Sequence, residues 1–387
     1  MIKEKSKRNV SFIKDCYGCG VCVISCPKKI IDIRLNKNGF LEPVIENQLL
    51  CVECEACLQN CAYNHVSVAT ENVPLMSYAA WSNSEFIRYN SSSGGVCYEI
   101  CKYLVSKGYK ICGAKYDSKI NNVKHVLCST IEELNQISGS KYLQSNTVDC
   151  FEQINKFQKY VVIGTPCQID SVRRFIKSKR IEDNFILIDF FCHGVPSYNL
   201  WKKFSAAQKE NIGGFISVTW RNKTDGWHKS YRLDIKAELG EYHHTGLKFD
   251  DFFDLYFSNS ALSPACFDKC KYKLVSSSAD IRLGDMWGEK FTNNREGVNS
   301  VICFTDKGNE IFQKIDCETI HFPVGDVISG QMKSSPLRDG FYLKLNPLIN
   351  ENSENWHEIV TISRKMQLKK RIIEKLRSCL NFSKIFC

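Results

Sequence analysis

A chain of 387 residues is long enough for roughly two or three domains and a sizeable core. Its 43% hydrophobic and 24% charged residues are ordinary for a globular protein, and no run nears the roughly 18–20 apolar residues that would span a bilayer. The net charge of +10 gathers at the ends, with five Lys/Arg against one Glu in residues 1–14 and eight against one in residues 364–387. The body is therefore near neutral and lacks a basic stripe with interleaved aromatics, so no nucleic-acid partner is expected.

The first ten residues are polar and contain no apolar core of a signal peptide. Twenty-one cysteines without an export signal predict a reducing, cytoplasmic setting and metal sites rather than disulfides.

Residues 1–70 read as a small module carrying two cysteine runs. The first is Cys16-x2-Cys19-x2-Cys22-x3-Cys26, and the second is Cys51-x2-Cys54-x2-Cys57-x3-Cys61. Two-residue spacings let one tight turn wrap three thiolates around a 4Fe-4S cube, while the fourth cysteine reaches across to the other cube. One cluster is thus assigned to Cys16, Cys19, Cys22 and Cys61, and the other to Cys26, Cys51, Cys54 and Cys57. Zinc sites need only paired C-x2-C units, and disulfides need an oxidising compartment. Gly18 and Gly20 are expected to keep the first loop slim. Between the runs, Ile31, Ile33 and Leu35 alternate with polar residues before an Asn38-Gly39 turn, which predicts a hairpin. Residues 67–74 read as a linker.

Residues 75–360 read as a larger mixed α/β domain. Ser91, Ser92, Ser93, Gly94 and Gly95 precede a predicted helix over 96–106. A strand is expected over 110–114. Another over 160–163 ends in Gly164, Thr165, Pro166 and Cys167, followed by a helix through 176. Residues 185–191 are apolar except for Asp189 and suit a strand covered on both faces. They lead into Cys192 and His193. Later segments at 231–235 and 280–288 read as strands, the first with antiparallel alternation. Residues 361–387 read as a basic amphipathic helix. Leu368, Ile372, Leu376 and Cys379 or Leu380 form its stripe, which either packs on the chain's own domain or docks on a partner or an anionic membrane surface.

Cys167 and Cys192 lie at strand C-terminal ends, where open α/β sheets place ligands. With the Cys266-x3-Cys270 pair they could hold a third cluster, or all four could be separate thiols. The Ser91–Gly95 loop fits either an anion cradle or an ordinary N-cap. No G-x-G-x-x-G outside the cysteine loops and no Walker A sequence supports a nicotinamide or nucleotide-triphosphate site. Cys97, Cys101, Cys112, Cys128, Cys150, Cys303 and Cys317 have no informative spacing.

From about Tyr78 to Gly288 the chain resembles the beta subunit family of coenzyme F420 hydrogenases and dehydrogenases, which are flavin and iron–sulfur oxidoreductases. The matching pieces are Ser91–Gly95, Gly139–Ser145, Gly164–Gln168, Cys192–Gly194, the Cys266 and Cys270 pair, and Leu283–Gly288. The resemblance implies FAD bound by the Ser91–Gly95 loop and by Ser140, Lys141 and Tyr142. Gly164, Thr165 and Pro166, in another of its matching pieces, are further candidate cofactor-binding residues. It also implies a further 4Fe-4S cluster on Cys167, Cys192, Cys266 and Cys270, although relatives usually carry C-x2-C where this chain has C-x3-C. Lys141 becomes a candidate positive charge near the flavin ring, with a plain surface lysine as the alternative. His193 becomes a candidate proton relay, with a structural hydrogen bond as the alternative. The expected function is electron passage between a small-molecule hydride donor or acceptor, through FAD, and the clusters, which would serve a redox partner protein or ferredoxin. Polysaccharide biosynthesis is a candidate setting. The rival expectation is a non-catalytic electron-transfer subunit of a larger redox complex.

Overall fold

The computed structural model describes residues 8–244 and 250–383, with side chains described as far as residue 376. The first elements are short: α1 (Val21–Ser25), β1 (Ile31–Leu35), β2 (Leu41–Ile45) and α2 (Ala56–Gln59). The antiparallel hairpin β1–β2 turns at Gly39, as its alternation requires, and the cysteine loops flank it.

The chain then runs without regular structure, apart from a short 3-10 turn, to β3 (Met76–Ser82), α3 (Glu85–Asn90), α4 (Val96–Val105), β4 (Lys110–Asp117), β5 (Asn122–Cys128), α5 (Ile131–Leu134), β6 (Ser145–Asn146) and α6 (Val148–Phe151). Next come β7 (Tyr160–Ile163), α7 (Pro166–Lys179), β8 (Phe185–Phe190), α8 (Tyr198–Ile212), β9 (Phe215–Thr219), β10 (Asp234–Ala237) and β11 (Glu241–His243). The remainder is α9 (Asp251–Phe257), α10 (Pro264–Asp268), β12 (Ile281–Asp285), β13 (Asn299–Cys303), α11 (Asp306–Phe312), β14 (Cys317–His321), α12 (Val324–Val327), α13 (Gly340–Asn350) and α14 (Trp356–Ser383).

Nine strands form one mixed sheet in the order β14-β3-β13-β12-β8-β7-β4-β5-β6. Its centre, β12-β8-β7-β4, is parallel. Residues 160–162 and 185–188 are fully or nearly buried, as strands covered on both faces must be. Asp189 is tolerated there because Arg282 on β12 meets it at 2.6 and 2.7 Å and Ser277 donates to it at 2.7 Å. The small antiparallel sheet β11-β10-β9 and helices α8, α9, α13 and α14 enclose a second, aromatic-rich core.

Several boundaries differ from expectation. The strand expected over 231–235 begins only at Asp234, because the Leu233 N–H donates to the Asp250 carboxylate instead of a ladder partner. The strand expected over 280–288 ends at Asp285, where the chain turns and the Trp287 N–H bonds the Asp285 carbonyl. The C-terminal helix starts at Trp356, and Trp356, Ile359 and Val360 are buried in the aromatic core. Beyond Met366 the apolar side chains Leu368, Ile372, Ile373 and Leu376 are exposed, while Cys379 and Leu380 lie outside the described side chains. Among the described residues no helix is long and apolar enough to cross a membrane.

Candidate functional site

The two cysteine runs fold as near repeats of one another. Gly18 and Gly20 of the first adopt left-handed backbone (φ +60° and +76°), and Glu53 and Glu55 of the second take the same conformation (φ +57° and +56°). α1 follows Gly20 and α2 follows Glu55, so each run wraps a turn and then a short helix. The glycines meet a demand the sequence did not reveal. A Cβ on Gly18 would lie 2.4 Å from the Leu41 carbonyl oxygen and 2.3 Å from Gln144, and one on Gly20 would lie 2.1 Å from Thr147 Oγ1. The first loop is slim because the larger unit presses on it.

Each predicted ligand set lines its own recess. One, of about 360 Å³, is lined by Cys16, Cys19, Cys22 and Cys61 together with Val10, Ile13 and Ile33. The other, of about 340 Å³, is lined by Cys26, Cys51, Cys54 and Cys57. Cys61 of the second run thus lies with the first three cysteines of the first run, and Cys26 with the first three of the second. Among the described residues no trio of His, Cys, Asp or Glu closes tightly enough on a single ion. Burial differs between the two: Cys16, Cys19 and Cys22 are buried, whereas Cys54 is exposed. Burial pushes the Cys61 thiol up to about 12, with Cys19 adding to the effect.

The four later cysteines also converge. Adjacent parallel strands β7 and β8 deliver Cys167, in the first turn of α7, and Cys192. Thr165 and Gln168 form a capping box around Pro166, which fixes the start of α7 and packs Gln168 against Gly164. Cys266 sits on α10, and Cys270 follows the residue that caps it, so the extra residue of the C-x3-C spacing is taken up by the helix end. Burial raises the Cys167 thiol, brings Cys192 to about 11 and brings Cys266 to about 12. Each is raised further by others of the set, so the four lie within electrostatic reach of one another. Two amines lie beside them. Lys273 donates to the Cys192 carbonyl at 2.8 Å, and Lys271 donates to the carbonyls of Ala62 and His65 at 2.9 and 2.7 Å. Cys167 is also raised by Cys19, which places this set next to the first recess.

The Ser91–Gly95 loop and the Gly139–Tyr142 segment meet, with the Ser140 N–H donating to Ser92 Oγ at 2.8 Å. Other cradle groups are spent internally. Ser93 Oγ donates to the Val298 carbonyl, and the Val96 N–H donates to Asn299 Oδ1. A Cβ on Gly94 would sit 2.6 Å from the Ala80 carbonyl oxygen. Lys141 is half-buried and its charge is engaged. Its ammonium donates to the carbonyls of Ile137, Ser138 and Gly139 at 2.7–3.0 Å, and burial lowers its pKa to about 7. His193 Nε2 lies 2.8 Å from Asn259 Oδ1, and burial lowers its pKa to about 4, so the ring is neutral near pH 7.

The 220–232 loop was missed in the sequence. Lys223 donates at 2.6 Å to the carbonyls of Arg88, Ser93 and Glu296, pinning the serine loop from beneath. Arg221 is held by Ser230 (2.7 Å) and Asp285 (3.0 Å) and stacks on Tyr231, yet its buried Nη2 has no hydrogen-bond partner. It also acts electrostatically on Tyr142 and Lys223, so it lies within reach of the second segment and of the amine that pins the first. The Trp220-Arg221-x-Lys223 sequence before Asp225-Gly226 was the available cue, but a basic residue beside a turn usually signals solvent.

Residues 157–322 match the family model for the C terminus of the coenzyme F420 hydrogenase/dehydrogenase beta subunit, and residues 15–65 match that of the 4Fe-4S dicluster domain. No curated protein matches the chain. A chain of the F420-reducing [NiFe] hydrogenase complex from Methanosarcina barkeri is similar in fold at 18% identity, covering 79% of this chain and 94% of that one, with a TM-score of 0.47, too distant to bear on function.

Proposed function

We propose that this chain, which joins a 4Fe-4S dicluster domain to the C-terminal region of a coenzyme F420 hydrogenase/dehydrogenase beta subunit, is a flavin-dependent iron–sulfur oxidoreductase. The observation behind this reading is a graded line of thiols. It starts at exposed Cys54, passes through buried Cys16, Cys19 and Cys22, and continues to Cys167 beside Cys19. The set with Cys54 would hold the outer cluster, where a redox protein or ferredoxin docks. Cys16, Cys19, Cys22 and Cys61 would hold the inner one, and Cys167, Cys192, Cys266 and Cys270 a third.

Clusters of this kind carry single electrons, and a bound flavin would supply the conversion between those and a hydride. The residues' own tasks follow from chemistry. Lys271, Lys273 and Arg282 offset the negative charge of a cluster at the third set. Ser92 and Ser140 hold the two cradle segments together, and the unpartnered Nη2 of Arg221 is free to meet a flavin phosphate or ring oxygen. Lys141 and Lys223 position those loops, and neutral His193 fixes the segment after Cys192. The small-molecule hydride partner, sugar-linked or otherwise, would enter at this end, in the cytoplasm.

A second reading, an electron-transfer subunit within a larger complex, is favoured by the internal use of Ser93 and the Val96 N–H. Strictly anaerobic purification separates them. About 12 iron atoms with about one FAD per chain is expected for the enzyme, while about 8 without flavin favours the subunit. Arg221→Ala is expected to lower the flavin-to-iron ratio without lowering iron.

A further inference from the structure

Ser171 lies on α7 one turn beyond Cys167 and is fully buried. Its hydroxyl oxygen accepts the Ala62 N–H at 3.1 Å and stands 3.3 Å from Cys19 Sγ. Ala62 directly follows Cys61, so a single hydroxyl from the larger unit touches both ends of the first recess. In the free thiol it is Cys19 that donates to this oxygen; as a cluster ligand Cys19 is a thiolate without a proton, and the hydroxyl then donates to the sulfur.

We propose that Ser171 is a positioning residue that raises the reduction potential of the 4Fe-4S cluster held by Cys16, Cys19, Cys22 and Cys61; this rests on assigning Cys19 to that cluster. Reduction adds one negative charge to a cluster, and part of that charge resides on the ligand sulfurs. A hydroxyl donating to one sulfur stabilises the reduced form more than the oxidised form, so the potential rises. The recess lining is largely apolar, with Val10, Ile13 and Ile33 among it, and there a single donor weighs more than at the surface.

The outer set supplies an internal control. Its sulfur Cys51 receives Asn9 Nδ2 at 3.4 Å, from within the N-terminal unit, and α7 does not line its recess. The helix that presents Cys167 therefore sets the energy of the inner cluster and leaves the outer one alone. Electrons arriving from outside would meet a step toward the α/β unit that α7 itself controls.

The test is an EPR-monitored redox titration of the anaerobic full-length holoprotein, with iron measured per chain, for the wild type, Ser171→Ala, Ser171→Thr and Ser171→Cys. Ser171→Ala is expected to keep its iron and to shift one midpoint downward by about tenfold in the reduction equilibrium, which for one electron is about 59 mV. Ser171→Thr, which keeps a hydroxyl, should restore the wild-type value, and a second midpoint should stay put throughout. If Ser171→Ala loses iron, Ser171→Cys carries the test, with a smaller shift of the same sign expected from its weaker donor. Unmoved midpoints in a fully loaded variant, or equal shifts of both clusters, overturn the inference alone. A wild-type protein that takes up no iron on reconstitution overturns the ligand assignment with it.

Discussion

The phenol of Tyr17, lodged between Cys16 and Cys19, donates to the carbonyl of Lys269, the residue before Cys270. One side chain thus ties the first cysteine loop to the last pair. Its ring also meets Tyr63 and Tyr272 edge-on, at 5.2 and 5.9 Å between centroids. Tyr17→Phe keeps the ring contacts and deletes the bond, leaving a carbonyl without its donor. The variant should lose about 1–2 kcal/mol in urea unfolding while retaining full iron. Loss of iron in proportion to stability would instead make Tyr17 part of the cluster-holding loop.

The near-repeat of the two runs gives a test of opposite sign at matched positions. Gly18 and Glu53 share the left-handed conformation, but only Gly18 is pressed by Leu41 and Gln144. Gly18→Ala adds strain and a backbone clash, so stability should fall by at least about 2 kcal/mol. Glu53→Gly relieves strain on an exposed loop and should be neutral or stabilising by up to about 1 kcal/mol, the gain being offset in part by the freer unfolded chain. Thermal unfolding of the two variants beside the wild type reads both signs at once.

The grouping of the cysteines around the two recesses was legible because covalent spacing limits which of them can converge. The central strands were legible for a related reason, since seven residues from Phe185 with one polar interruption can only be covered on both faces. What stayed hidden depends on contacts distant in sequence. Asp189 reads as a flaw in a strand until Arg282 stands beside it. Ser171 reads as one polar residue in a helix until Cys19 is placed against it. Lys223 was hidden because a buried ammonium is normally too costly, and only a ring of three carbonyls makes it tolerable. The start of the last helix was misplaced because its buried first turns, Trp356 to Val360, show a weaker charge pattern than the basic stretch that follows.

His125 on β5 gives a pH prediction. Burial first, then the nearby Lys141 charge, lowers its pKa to about 4, against the bond from Nε2 to the Ile163 carbonyl at 2.9 Å. The unfolded ring titrates near 6.5, so below that pH the unfolded chain takes up a proton that the fold refuses. The stability contribution is therefore present above pH 6.5 and lost as pH falls toward about 4, by on the order of 3 kcal/mol. His125→Gln can keep the donor to Ile163 and removes the titration. The gap between wild-type and variant unfolding free energies should change across pH 6.5 to 4 and stay flat above pH 7. A constant gap would mean that the ring is already accessible to protons in the fold.

The exposed half of α14 makes the last claim. Leu368, Ile372, Ile373 and Leu376 are 40–60% exposed, and Lys365, Lys369, Lys370, Arg371 and Lys375 surround them. Earlier in the helix Arg364 is held by Asp251 at 2.9 Å, so the basic segment projects from an anchored base. Apolar side chains at four-residue intervals with flexible basic neighbours suit the boundary of an anionic bilayer, where the lysine stems can lie along the acyl region with their charges among headgroups. Full-length protein should therefore sediment with vesicles containing anionic phosphatidylglycerol and remain free with neutral phosphatidylcholine, and raised salt should release it. Leu368→Glu with Ile372→Glu should abolish sedimentation without changing iron content, because neither side chain supports the core. Equal binding to both vesicle types, or self-association that the same double substitution removes, would assign this stripe to something other than a charged lipid surface.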